Sequence, residues 1–237
     1  MRRARKYSSL SPDYGGRGRN HHAALSEFTI ANPDDWLENL TCMRSVVLDP
    51  ETLLVAYSQG AFPMTDSDGT TRWYTADPRG IIPLDAFHIP RTLQQTIRQG
   101  KFEIAINRNF EAIMRACMSV RSDGSWISEQ LIAVYCKLHQ LGFAHSVEAW
   151  QDGQLAGGLY GVSLGAAFFG ESMFHHVRDA SKVALAALVE RLRERNYELL
   201  DTQAATSHLK HFGCIEIRAE DYARRLKHAL QRKCSFV

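Results

Sequence analysis

A carboxylate or an amide set into apolar sequence is conspicuous, because burying it costs free energy unless it is paired or used. Three such positions occur in the second half of this 237-residue chain. Glu171 follows Ala166-Ala167-Phe168-Phe169-Gly170, Asp201 follows Leu199-Leu200, and Gln203 stands two residues further on. Residues two apart on an extended segment face the same side, so Asp201 and Gln203 are expected to point together. Carboxylates so placed are candidates for acid–base or binding work, and a neutral amide for hydrogen bonding. A structural reading competes with this. Glu171 would then cap the following turn, and Asp201 would pair with a nearby arginine.

Other chemistry-bearing residues form weaker patterns. His208 and His211 are three apart and share a helix face, but nothing supplies further metal ligands at a recognisable spacing. His21-His22 and His175-His176 are adjacent and point apart in most backbones. Gly157-Gly158-x-x-Gly161 suits the approach of a ligand or tight strand packing equally well. The five cysteines (42, 117, 136, 214 and 234) contain no C-x-x-C pair, which disfavours a disulfide framework or a zinc site and favours a reducing compartment. Nucleophile-elbow, phosphate-loop and dinucleotide glycine signatures are absent from the sequence.

The elements that must position these residues are legible in outline. Asp49 caps a helix with Pro50 in its first turn, Leu53, Leu54 and Tyr57 on its apolar face and Gly60 at its end. A turn-rich stretch follows, and a boundary falls near 77–80. Helices are predicted over 91–99, 109–118 and 129–141, the last capped by Ser128. From 145 the period changes: a strand to Trp150, an Asp152-Gly153 hairpin turn, a strand over 155–162 and a third over 166–172. Asp179 is expected to cap a helix to about Asn196 with Leu185, Leu188 and Leu192 inward, before a short strand at 198–201. This is an α+β layout of helices flanking a strand meander.

Composition bounds the partners. Lys plus Arg (28) barely exceed Asp plus Glu (26), so clustering matters more than net charge. Arg191, Arg193 and Arg195, then Arg224, Arg225, Lys227, Arg232 and Lys233, suit phosphates or a solvated face. Residues 1–22 carry six basic side chains against Asp13, the composition of a disordered tail. The longest uncharged stretch, Leu155–Gly170, is shorter than the roughly 20 residues of a spanning helix and is broken by glycines. No secretory signal is read at the start.

Eight segments then occur in order: Tyr57-Ser58-Gln59-Gly60-Ala61-Phe62-Pro63, Trp73-Tyr74-Thr75-Ala76-Asp77-Pro78-Arg79, Gly124-Ser125-Trp126-Ile127, Ala144–Trp150, Gly157–Val162, Gly170-Glu171-Ser172-Met173-Phe174, Asp179-Ala180-Ser181-Lys182 and Leu200-Asp201-Thr202-Gln203. Together they resemble the bacterial leucyl/phenylalanyl-tRNA–protein transferases over about residues 45–225. Residues 1–43 lie outside the resemblance and are read from composition as a disordered basic tail. The resemblance implies a small N-terminal domain over 44–78 and a C-terminal acyltransferase domain of the GNAT type over 79–237. It also implies a cytoplasmic, monomeric enzyme without metal or organic cofactor and without a membrane partner. Leu or Phe, and Met less well, would pass from aminoacyl-tRNA to acceptor proteins beginning with Arg or Lys, marking them for degradation.

By the same resemblance Asp201 and Gln203 match catalytic positions, and Glu171 and Trp126 line the aminoacyl-adenosine site. Leu159 and Phe168, with Leu188, Leu192 and Leu200, match the apolar pocket for the amino-acid side chain. The sequence departs from the family at Met64, where many members have tryptophan against the terminal adenosine. Methionine packs on a purine but gives no stacking platform, which shifts the expectation to Trp126, or to Trp73 and Tyr74. An acyl-CoA-dependent N-acyltransferase and a non-catalytic RNA-binding module are the alternatives. The first lacks its glycine-rich pyrophosphate loop, and the second leaves Glu171, Asp201 and Gln203 unexplained.

Overall fold

The computed structural model describes the backbone of residues 7–10 together with residues 48–120 and 125–237. Two sheets organise these residues. The small one has the strand order β1 (Tyr7–Leu10), β3 (Thr71–Ala76), β2 (Phe62–Thr65), all antiparallel. The rest of the expected tail over 1–43 lies outside the described residues, as does Gly124.

The large sheet has seven strands. In chain order they are β4 (Arg79–Ile82), β5 (Glu103–Ile106), β6 (Ala144–Gln151), β7 (Gln154–Leu164), β8 (Ala167–His175), β9 (Leu199–Gln203) and β10 (Ile215–Ile217). Across the sheet they run β10-β4-β9-β8-β7-β6-β5. Neighbours are antiparallel except β8 and β9, which pair parallel over Ala167–Phe169 and Leu199–Asp201. A parallel pair needs a crossover, and the helix α5 (Ala180–Glu194) supplies it.

Helices cover both faces. Because successive strand residues alternate, Tyr160, Phe169 and Leu199 enter one core with α1 (Pro50–Ser58), α3 (Phe110–Ser119), α4 (Glu129–Gln140) and α7 (Ala219–Leu230). Leu159, Phe168 and Leu200 enter the other with α5 and α2 (Arg91–Arg98). The glycine pair serves this packing. A Cβ on Gly157 would lie 2.7 Å from the Ala180 Cβ, and one on Gly158 would lie 2.8 Å from Ile113 Cδ1.

Local signals hold where they are chemical. The Asp49 carboxylate accepts the Thr52 N–H at 2.8 Å, and the Ser128 hydroxyl accepts that of Leu131 at 3.3 Å. Asp152 and Gly153 both have positive φ, 51° and 74°, as a two-residue hairpin turn of the primed type requires. Asp179 differs. It occupies the N-cap position of α5 without capping it, and its carboxylate takes the Lys182 ammonium at 2.7 Å. The stretch read as turns also contains β2 and β3, and β4, β5, β10 and α7 lie beyond the sequence reading. Strands of three or four residues are too short to show alternation.

Candidate functional site

Glu171 owes its place to a β-bulge. On β7 and β8, Tyr160 pairs with Ser172 and Gly161 with Gly170, so Glu171 is the extra residue of β8. Such a residue is re-aimed away from regular alternation. Gly161 opposite permits it, since a Cβ there would fall 2.2 Å from the Phe169 carbonyl oxygen. The strand continues to His175, so Glu171 neither ends a strand nor caps a turn.

The re-aimed carboxyl collects partners from three other elements. Gln203 Nε2 on β9 donates to Glu171 Oε1 at 3.3 Å. The Tyr135 hydroxyl on α4 donates to Oε2 at 3.4 Å, and Tyr57 on α1 hydrogen-bonds to Tyr135. Both tyrosines are fully buried. Burial raises the Glu171 pKa to about 8; the hydrogen bond with Tyr57 opposes the rise, the charge of Asp201 adds to it, and Arg79 and Tyr135 oppose it. The tyrosine hydroxyls are themselves pushed well above their usual value by burial and by the Glu171 charge. At neutral pH this group is therefore mostly a protonated acid among undissociated phenols.

Asp201 and Gln203 do not share a side. Gln203 has φ 57°, outside the extended region, and is the centre of a tight turn in which the Ala204 N–H bonds the Thr202 carbonyl at 2.5 Å. Asp201 is fully buried, and both its oxygens are engaged. Oδ1 accepts Arg79 Nε at 3.0 Å and the Gln203 N–H at 2.8 Å. Oδ2 accepts an Arg79 terminal nitrogen and the Tyr222 hydroxyl, each at 2.6 Å. The expected pairing of Asp201 with an arginine is thus present, while the extended alternation fails. Burial works against the Arg79 charge, but Asp201 outweighs it and the guanidinium pKa lies above its ordinary value.

The residues expected around the adenosine gather at β2. The Thr65 N–H bonds the Trp126 carbonyl at 3.0 Å, which ties the Met64 strand to the Trp126 loop. Met64, Trp126 and Tyr74 are partly buried against the first core. Trp73, by contrast, is 4% exposed and belongs to that core. Of the two neighbours, only Tyr74 offers a partly exposed ring, its hydroxyl donating to Asp66 at 2.5 Å.

The apolar residues Leu159, Phe168, Leu188, Leu192 and Leu200 do come together in the second core. All are closed, with Leu159 the most exposed at 4%. Met173, Ala205, Leu209 and Phe87 pack on the same cluster and are partly exposed, and so mark where it reaches the surface. Phe236 lies against the other side of Phe168, ring centroids 5.1 Å apart, and stacks on His145 at 4.5 Å. His145 is structural: burial lowers its pKa to about 4, and it bonds Asn107 and the Gly142 carbonyl.

Several basic side chains are spoken for. Arg191 Nε donates to the Phe236 carbonyl at 2.6 Å and Arg193 Nε to that of Leu84 at 2.7 Å. Arg232 pairs with Glu198, and Arg224 with Asp221. Arg225 and Lys227 on α7 and Lys233 beyond it are exposed. Sequence reasoning missed Arg79, Tyr57, Tyr135 and Tyr222 as site residues. Tyr57 and Arg79 sit inside motifs it had singled out, and Tyr135 lies on the apolar face read for α4. Tyr222 carried no signal at all.

Comparison with known proteins covers most of the chain. Residues 81–227 match the family model of leucyl/phenylalanyl-tRNA protein transferase, and residues 47–77 match the model of its N-terminal domain. A leucyl/phenylalanyl-tRNA–protein transferase of Chlorobaculum parvum is 52% identical over 190 residues, 79% of this chain and 98% of that protein. The one from Herpetosiphon aurantiacus is 53% identical over 80% of this chain and 98% of its own length. Among solved structures, L-PGS from Bacillus licheniformis covers 76% of this chain and 62% of its own at 12% identity and a TM-score of 0.36, a likeness of outline only.

Proposed function

Because this chain belongs to the leucyl/phenylalanyl-tRNA protein transferase family, we infer that it joins leucine or phenylalanine, and methionine less well, to the N-terminal Arg or Lys of acceptor proteins at the Glu171–Gln203 site. It is an aminoacyltransferase with aminoacyl-tRNA as donor and protein as acceptor. That sets aside the acyl-CoA and RNA-binding readings. The work proposed for it is a cytoplasmic one, marking acceptors for degradation.

The reaction is aminolysis of an ester. The acceptor amine nitrogen bonds to the ester carbonyl carbon, the carbon–oxygen bond to the ribose breaks, and a proton passes from the amine to the departing oxygen. The ester is already activated, and an α-amine of ordinary pKa, roughly 7.7–8.0, is partly neutral at pH 7. Holding the two groups together supplies roughly 7–11 kcal/mol. Gln203 is a poor base and serves as a hydrogen-bonding group for the amine or the ester. Glu171 is suited to the donor's own α-ammonium: a cation arriving beside it favours the carboxylate and lowers its pKa.

The observation that carries this reading is the meeting of Glu171 and Gln203 at 3.3 Å. Labelled Phe-tRNA and labelled acetyl-CoA, each offered with an Arg-starting and an Asp-starting peptide, test it. Label should pass only from Phe-tRNA and only to the Arg peptide. Transfer from acetyl-CoA, or equal labelling of both peptides, overturns it.

A further inference from the structure

We propose that Arg79 and Tyr222 are positioning residues for the transfer reaction, acting through Asp201 to hold Gln203 in its turn. The inference rests on the reading that Gln203 touches the reacting groups.

A non-glycine residue at positive φ is strained and persists only where its surroundings over-determine it. At Gln203 the over-determination is visible. Its backbone N–H is held by Asp201 Oδ1 at 2.8 Å, a local side-chain bond that supports a turn in place of the strand ladder. Asp201 is fixed in turn by the Arg79 fork and by the Tyr222 hydroxyl. Arg79 is 1% exposed and has no freedom of its own. Its guanidinium lies over the rings of Phe62 at 5.0 Å and Tyr222 at 4.5 Å, and its remaining nitrogen donates to the Gly60 carbonyl at 2.8 Å. Gly80, next in sequence, lets the turn lie flat on β4, since a Cβ there would fall 2.4 Å from the Ala204 carbonyl carbon.

The chain of contacts thus runs from the small sheet (Phe62) and the loop after α1 (Gly60) to Arg79, then Asp201, then the Gln203 backbone, with α7 closing it through Tyr222. Asp201 has no exposed surface to offer a substrate. Its service to the reaction is indirect, and it is shared with the two residues that hold it. Removing one partner of a buried pair leaves an uncompensated charge, so Arg79 and Asp201 hold each other in place.

Tyr222→Phe isolates the effect, because it removes one hydrogen bond and keeps the ring over Arg79. Single-turnover transfer from Phe-tRNA should slow roughly 10- to 100-fold, with tRNA affinity and melting temperature close to those of the parent. Combined with Gln203→Ala, the same change should cost less than about twofold, since two residues acting as one unit are not additive. Losses that multiply in the double variant overturn the proposal and leave the Gln203 reading standing. Near-parental turnover in Gln203→Ala alone overturns that reading and the proposal with it. Arg79→Lys gives the same test independently: it keeps the charge, loses the fork, and should likewise be silent in the Gln203→Ala background.

Discussion

The Gln203 amide donates to the Glu171 carboxyl across 3.3 Å, and each residue reaches that contact by leaving regular β geometry. Glu171 is the extra residue of a bulge in β8, and Gln203 turns out of β9 at φ 57°. The two strands are parallel neighbours only as far as Phe169 and Asp201. The gap that opens beyond them is where the two polar side chains meet.

Removing the Gln203 amide should damage turnover far more than binding. Gln203→Ala is expected to lower the single-turnover rate on the order of 10²–10³-fold, the scale of losing one positioned donor. The affinity for aminoacyl-tRNA, measured by filter binding, should change little, since most of that affinity comes from phosphate contacts. Equal losses in both measurements would place Gln203 in binding alone.

Asp201→Asn should be costly to the fold. It leaves Arg79 buried at 1% exposure without its counter-charge, and breaking a buried pair costs about 3–5 kcal/mol. By contrast Glu129→Gln, which breaks an exposed pair with Arg115, should leave the melting temperature where it is. Similar melting temperatures for the two variants would show that the buried pair contributes nothing particular.

Glu171 makes stability depend on pH in a definite direction. Its folded pKa, about 8, lies above that of an unfolded carboxylate. The protonated form favours folding, so its contribution is complete below about pH 4 and is lost as the pH rises through 8. The parent should lose melting temperature between pH 6 and pH 9 relative to Glu171→Gln, which cannot ionise. Parallel melting curves across that range would mean that the carboxyl is already ionised at neutral pH.

The sequence reading was good where structure is local and chemical. Asp49-Pro50, Ser128 and Asp152-Gly153 specify caps and a turn within four residues, and these elements stand where they were expected. It also picked out Glu171, Asp201 and Gln203 as unusual, because a polar residue in apolar sequence is a local signal. It could not see what each does. The bulge at Glu171 depends on the register of β7, and the turn at Gln203 on an arginine 122 residues away from the aspartate it holds. Trp73 and Tyr74 look equivalent in sequence, and only the pairing of β3 between its neighbours buries one and leaves the other partly exposed.

Donor binding should be salt-sensitive through a few exposed side chains. Arg225 and Lys227 lie on the outer face of α7, whose Tyr222 and Leu226 face inward. Each phosphate contact contributes about 0.7–0.9 to the slope of log affinity against log salt. Charge reversal at both positions should weaken Phe-tRNA binding at low salt and flatten that slope by roughly 1 to 2. An unchanged slope would place the phosphate contacts on another surface.

Proposed as the amino-acid pocket, the apolar cluster around Leu159 should choose by shape. Leu159, Phe168, Leu188, Leu192 and Leu200 form one apolar cluster, and none of them can hydrogen-bond a polar side chain. Esters of Ser, Asp or Lys would lose hydration there without compensation. Against Ile or Val the cluster has only branching to work with, worth about 1–3 kcal/mol, so that discrimination should be finite. The five side chains are buried against one another, so a further side chain can enter only by parting them. Leu159 is the most exposed of the five and adjoins Met173 across β7 and β8, which makes it the first to be displaced. Leu159→Trp should therefore cut transfer of Phe more than of the slimmer, more flexible Met, while the volume-conserving Leu159→Met keeps the parental order. Melting temperatures of both variants separate a reshaped pocket from a loosened core. If Leu159→Trp folds and ranks Leu-, Phe- and Met-tRNA as the parent does at undiminished rates, the side chain binds elsewhere.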